Sequence, residues 1–221
     1  MVWLFAVGLL CLGGCAEQSP SDQFIVPLVQ KMDQERAKLE SLPPDADLKT
    51  RFASVYVLDQ APRTAISDIM RSSMSVEDKA EARAALRPIM EDQHRKNLQI
   101  VLDHLPPEGW YLRSRYGDEV ATTAFYVVQH SDVETWRRFV PVLEPLVAQG
   151  EVAGPAYALM YDRLALSEQR PQRYGSQVAC ENGRWVALYL EDPDNVDERR
   201  RAMGFPDTYA EYVAGFQAMP C

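Results

Sequence analysis

Residues Asp118 to Glu134 read DEVATTAFYVVQHSDVE. Ala121, Ala124, Phe125 and Val128 recur at three- and four-residue spacing, which places them along one side of a helix. The Val, Ala, Phe and Tyr around them leave few positions that prefer water. A mostly buried helix is therefore predicted over Asp118 to His130. Ser131-Asp-Val-Glu134 follows at once with the pattern of a capping box: a hydroxyl for an orphan N–H, and an acid three residues on. With Ser131 as its cap, a new helix starts one residue after His130 and runs to about Ala148. The pair points to an α-dominated chain.

Working outward supports that theme. On the N-terminal side, Phe24, Ile25, Leu28, Val29, Met32 and Leu39 recur among charges, an amphipathic helix closed by Pro43-Pro44. A second helix is expected from about Ala46 to Leu58, before Asp59-Gln60-Ala61-Pro62-Arg63. Ser75-Val-Glu-Asp78 is another capping box, and the helix it opens meets Pro88. Proline lacks an N–H and crowds the carbonyl four residues back, so a break or kink is expected there. The continuation, Ile89 to Leu105, stops at Pro106-Pro107-Glu108-Gly109. On the C-terminal side, Gly150 ends the Ser131 helix and Pro155 starts another through Leu166. Tyr174–Cys180 and Arg184–Leu190 then alternate loosely around Glu181-Asn182-Gly183, and Asn-Gly is the strongest short hairpin turn. Asp192-Pro193 should cap a helix ending at Gly204, and Pro206 should open one through Ala218. The expected fold class is mostly α (α+β): a single α-rich domain over residues 23–221 with one C-terminal β-hairpin.

The chain has 221 residues, long enough for one generous core, with 47% apolar and 25% charged residues as in an ordinary globular protein. Its formal net charge of −9 argues against nucleic acid as a partner, because phosphate binding needs a basic face. Residues 1–15, MVWLFAVGLLCLGGC, carry no charge and are too short to span a bilayer, as in a signal-peptide hydrophobic region. Leu12-Gly13-Gly14-Cys15 resembles the bacterial lipobox, in which the cysteine becomes the lipidated first residue, although the usual Lys or Arg before the apolar run is missing. Residues 16–22 would then form a short tether. A lipid on Cys15 would make the bacterial membrane a partner and place the domain in the periplasm-facing envelope. Cys180 and Cys221 then remain, and in an oxidising compartment two cysteines are most simply a disulfide. Closing a loop of about 40 residues would contribute on the order of 3–4 kcal/mol.

Glycine-rich phosphate loops, zinc-type Cys/His spacing and a Gly-x-Ser-x-Gly elbow are all lacking, and no cofactor or metal is expected. A metal held by His130 and carboxylates would be thinly ligated by a single histidine. In Gln129-His130-Ser131-Asp132, His130 reads either as a general base or ligand, or as a residue binding the last carbonyls of its helix. In Tyr161-Asp162-Arg163, adjacent residues point about 100° apart, so Asp162 and Arg163 cannot both face one site. Arg170 to Gln177, RPQRYGSQ, crowds Gln172, Tyr174 and Gln177 around Gly175. That suits a pocket wall for a polar ligand, or equally the satisfaction of orphan groups at helix ends. Asp197-Glu-Arg-Arg-Arg201 is mostly a solvated face, with room for one arginine to turn inward.

These fragments, in order, resemble a bacterial family, domain of unknown function 6624. Its members carry a QHA-type motif, a DR step, a G-x-x-Q-x-Y-G-T-Q loop and a D-x-R-R-x-x-x-G-L helix; Asn97 and Gly109-Trp110 match earlier positions. The likeness covers roughly Gln93 to Phe205 and departs mildly at Ser131, Gln169, Ser176 and Phe205. It implies no activity. It does imply that His130, Asp162, Arg163, Gln172, Tyr174 and Gln177 meet in space. The expected function is an envelope-anchored lipoprotein with a pocket for a small polar ligand or peptide, to which Gln129, Arg163, Gln172, Tyr174 and Gln177 contribute. The alternative is a hydrolase of a polar envelope or peptide-like substrate, with His130 as base, Asp162 orienting it and Ser176 the nearest hydroxyl.

Overall fold

A computed structural model describes residues 19–217, apart from the side chain of Ala187; Cys15, the rest of the signal stretch and Cys221 lie outside the described residues. The fold is mostly helical. In chain order come α1 (Asp22–Ser41), α2 (Leu48–Arg71), α3 (Val76–Asp103), the single turn α4 (Arg113–Tyr116), α5 (Asp118–Gln129), α6 (Val133–Ala148) and α7 (Gly154–Ser167). A hairpin of β1 (Val178–Glu181) and β2 (Arg184–Ala187) follows. A 3-10 turn (Pro193–Asn195), α8 (Val196–Ala202) and α9 (Tyr209–Gln217) complete it. No described helix is long and apolar enough to cross a membrane.

The predicted buried helix is α5, whose Val120, Ala121, Ala124, Phe125, Val127 and Val128 all lie in the main core. Phe52 and Val55 of α2, Phe139 and Leu143 of α6, and Tyr157, Met160 and Leu164 of α7 pack into the same core. A second cluster joins Leu28 and Met32 of α1 to Leu58, Ala61, Ala65 and Ile69 of α2 and to Ala82 and Leu86 of α3. Thus α2 serves both cores.

That double duty overrides two expected helix breaks. α2 does not end at Leu58 but runs through Pro62, and α3 continues through Pro88. A mid-helix proline costs about 3 kcal/mol. Burying a Leu or Ile side chain recovers about 1.5–3 kcal/mol, and Leu58 and Ile69 flank Pro62 while Leu86 and Val101 flank Pro88, all at most 1% exposed. A break at either proline would strip one flank from the core.

Caps also differ in part. Ser75 accepts the Asp78 N–H at 3.0 Å, as predicted. At α6 the cap is Asp132, which accepts the Thr135 N–H at 2.8 Å, while the Ser131 hydroxyl turns back to the Val128 carbonyl. Asp192 makes no side-chain cap and holds φ at 43°. The hairpin is antiparallel, Cys180 facing Trp185, with Asn182 and Gly183 at φ of 51° and 76° in the turn. Such positive values suit the primed hairpin turn predicted for Asn-Gly. Trp185 and Tyr212 each lie against Phe216, which seats α9 on the hairpin.

Candidate functional site

The expected gathering of six polar residues does not form. It separates into two centres with different physics.

The first centre is the RPQRYGSQ loop. Asp162, fully buried on α7, accepts the main-chain N–H groups of Arg173 (2.7 Å), Tyr174 (3.1 Å) and Ser176 (2.9 Å). Burial pushes its carboxyl above the ordinary carboxylate range, although those amides pull the other way. Gln172 is also fully buried: its amide donates to the carbonyls of Gln177 and Leu188, and its carbonyl accepts the Gln177 N–H. Tyr174 is 2% exposed, its ring edge-on to Tyr161. Gln177 donates to Ser176 Oγ. Gly175 holds φ at +64°, and a Cβ there would come 2.5 Å from the Tyr209 ring. The arginine that turns inward is Arg200, 1% exposed, donating to the Tyr174 carbonyl at 3.0 Å and to Asp207 while lying over the rings of Phe205 and Tyr212. Arg199 donates to the Arg173 carbonyl. The loop's many hydrogen-bonding groups are spent on itself. Asp162, Gln172 and Tyr174 hold the hairpin to α7 and α8, and they and Ser176, 3% exposed, are buried.

The second centre surrounds His130, at the C-terminus of α5. Its ring does not bind the last carbonyls of that helix. Those are satisfied by Ser131 Oγ, by Trp136 Nε1 (3.1 Å to both the Val128 and Gln129 carbonyls) and by Arg163 (3.1 Å to the Gln129 carbonyl). Gln129 thus contributes a main-chain oxygen, and Arg163, its guanidinium over the Trp136 ring, buttresses this corner. The freed imidazole stacks between Tyr126 and His94, each ring 6.0 Å away. Its Nδ1 is 2.9 Å from Asp59 Oδ2, and Arg63 Nε donates to its Nε2 at 3.2 Å. Arg63 also reaches His94 Nε2 at 2.7 Å and the Asp59 main-chain carbonyl at 2.6 Å. The carboxylate that orients His130 is therefore Asp59, not Asp162.

Protonation follows from these contacts. Because Nε2 accepts from a guanidinium, His130 is neutral, with its proton on Nδ1 facing Asp59. Burial lowers the His130 pKa; Asp59 opposes this, and Arg63 and Arg163 reinforce it. Burial, then the charge of Arg63, brings His94 down to about 4. Burial would raise Asp59, yet its polar partners hold it below the ordinary carboxylate range. The hydrogen bond from His130 Nδ1 leads in this, and the nearby charge of Arg63 adds to it.

Asp59 is 1% exposed, whereas the side chains of Arg63, His94 and His130 keep 24%, 23% and 17% of their surface. His94 and His130 open onto a pocket of about 350 Å³ lined also by Glu91, Arg95, Leu98, Ser131 and Asp132. Sequence reading singled out none of Asp59, Arg63 and His94. Asp59 and Arg63 are four apart, hence on one helix face, a signal hidden by ending α2 at Leu58.

A family model described as a family of unknown function, DUF6624, matches residues 46–218. The match begins well before Gln93 and takes in Asp59 and Arg63. No curated protein and no solved structure matches this chain.

Proposed function

The chain belongs to the family of unknown function DUF6624, and on that premise we propose that it is an envelope lipoprotein whose helical domain binds a small polar ligand or peptide at the His130 pocket. The observation that carries this reading is the convergence of His94, His130 and Arg63, all water-accessible, beside an open hollow. Two neutral imidazoles and a guanidinium present donors and acceptors at fixed angles, the few placed polar groups a ligand site needs. The ligand-contacting set is then His94 and His130, which line the pocket, with Arg63 bonded to both imidazoles. Gln172, Tyr174 and Gln177 leave that role, and Arg163 acts through the Gln129 carbonyl.

Residues 16–221 should gain thermal stability with a hit from a panel of short peptides and polar envelope fragments. That gain should shrink at least about tenfold in apparent affinity in His130→Gln, since a buried polar group loses its partner. A response untouched by His130→Gln would end the proposal.

The anchor rests on Leu12-Gly13-Gly14-Cys15 and its likeness to a lipobox. Labelled palmitate should enter the full chain in a bacterial host and be lost in Cys15→Ser. The disulfide of Cys180 with Cys221 belongs to the same reading. Gln217 donates to the Trp185 carbonyl at 2.7 Å, so the chain four residues before Cys221 is held beside the strand that pairs with Cys180. Alkylation before and after reduction, read by mass, tests it.

One observation favours a second reading. A buried Asp59 orienting a neutral His130 is the geometry of a general base, so a hydrolase of a polar envelope or peptide-like substrate remains the alternative. In it Asp59 replaces Asp162, and Ser176 is excluded by burial. Turnover of a hit from the panel, abolished by His130→Gln, would distinguish it from simple binding.

A further inference from the structure

We propose that Asp59, His94 and His130 form a binding site for a divalent transition-metal ion, at present guarded by Arg63. The inference deepens the reading of the His130 pocket and rests on it in using the same side chains. One carboxylate oxygen and one nitrogen from each imidazole lie within 4.8 Å of one another. Around a tetrahedral zinc-type ion, with bonds near 2.0–2.2 Å, neighbouring donor atoms stand about 3.3–3.6 Å apart. With Asp59 Oδ1 as the shared carboxylate atom, the separations here lie close to that range: 3.2 Å to His130 Nδ1 and 3.7 Å to His94 Nε2. With the remaining imidazole pair also within 4.8 Å, rotation of the three side chains would bring the donors onto one ion once Arg63 has withdrawn.

The donors need one proton shift. A metal ligand must be an unprotonated imidazole nitrogen or an ionised carboxylate; His94 Nε2 already turns a lone pair to Arg63, and once Arg63 withdraws from His130 Nε2 the His130 proton can move there from Nδ1 and free that nitrogen to ligate. Two nitrogens and one oxygen leave further coordination positions open, as in catalytic rather than structural sites. The pocket beside His94 and His130 supplies the way in.

Arg63 is the third element. Its guanidinium reaches both imidazoles and stands 3.6 Å from Asp59 Oδ1, so positive charge already occupies the position an ion would take. The side chain is a quarter exposed, which leaves it room to withdraw. An ion must displace it and then tolerate it nearby. Arg63 thus lowers metal affinity while holding the donors in place, the opposite of what a ligand would do.

Cobalt(II) titrated into residues 16–221 after chelator treatment gives both an affinity and a visible absorption band that reports nitrogen and oxygen ligation. Wild type should bind, and Arg63→Met should bind at least about tenfold more tightly, since a like charge within roughly 4 Å is removed at an effective dielectric near 20. His94→Ala and His94→Gln should each lose the band; His94 is partly exposed, so circular dichroism should show both variants folded. An absence of binding in both wild type and Arg63→Met overturns the proposal. Weaker or unchanged affinity in Arg63→Met does so too, as does binding that survives either His94 variant. A peptide or polar ligand that binds in the presence of chelator leaves the proposed function standing while cobalt fails.

Discussion

Asp59 and His130 stand 71 positions apart in the chain, yet Asp59 Oδ2 and His130 Nδ1 are 2.9 Å apart in the fold. This bond ties the middle of α2 to the end of α5. Around it the charges are nearly closed: one buried carboxylate, one guanidinium, and two neutral imidazoles that accept from that guanidinium.

Removing the carboxylate should be costly. In Asp59→Ala, Arg63 and His130 keep their burial and lose their partner, and breaking a buried pair typically costs about 3–5 kcal/mol. Urea unfolding of the variant should show a loss in that range. A loss below about 1 kcal/mol would mean that Arg63 finds water easily and that the cluster is a surface feature.

Asp162 should matter for stability and not for the pocket. Asp162→Ala leaves the amides of Arg173, Tyr174 and Ser176 buried without an acceptor. Hydrogen bonds to a charged group contribute about 1.5–3 kcal/mol each, so a total loss of about 3–5 kcal/mol is expected after relaxation. Hydrogen exchange should quicken at those three amides first. A selective loss of ligand or cobalt binding, with exchange unchanged, would contradict the division into two centres.

The run Asp197-Glu-Arg-Arg-Arg201 holds one arginine that matters far more than its neighbour. Arg200→Ala removes a buried cation bonded to the Tyr174 carbonyl and Asp207 and packed on two rings, and should cost about 2–4 kcal/mol. Arg201 is exposed, and Arg201→Ala should stay within about 0.5 kcal/mol. Equal melting shifts for the two variants would refute this placement.

Acid should loosen the His130 centre. Burial and Arg63 depress His94 to about 4, and His130 moves in the same direction. Above about pH 6.5 both imidazoles are neutral folded or unfolded, and stability is flat in pH from this source. Between about 6.5 and 4 the unfolded chain takes up a proton at His94 that the folded chain refuses, so stability falls as pH falls, by roughly 1 kcal/mol per pH unit, and His130 adds to the loss in the same direction. With chelator present, unfolding at pH 7.5, 6, 5 and 4.5 should trace this slope, and His94→Gln should flatten part of it. A slope unchanged in His94→Gln would assign the acid response elsewhere.

The sites were less legible than the fold, for a definite reason. A helix reading scores each residue by its neighbours, so Pro62 ends α2 at Leu58 and puts Asp59 and Arg63 in a connection. The core decides otherwise, because Leu58 and Ile69 on either side must both be buried. Once α2 continues, Asp59 and Arg63 share a face directed at α5. The resemblance likewise named the right motifs and merged two centres into one. Asp162 and Arg163 are adjacent, and the turn of the helix sends the first to the loop and the second to the Gln129 carbonyl.

Periodicity, caps and the Asn-Gly turn were enough to establish a mostly helical chain with one late hairpin, and the ordered motifs were enough to identify its family. Those features are local, each read within a few residues. Which carboxylate faces His130, which arginine turns inward, and whether RPQRYGSQ faces a ligand or itself depended on groups up to 71 positions apart. Only the packing of α2, α5, α7 and α8 decides these, because the desolvation of a charge and the partner it meets depend on distances in space.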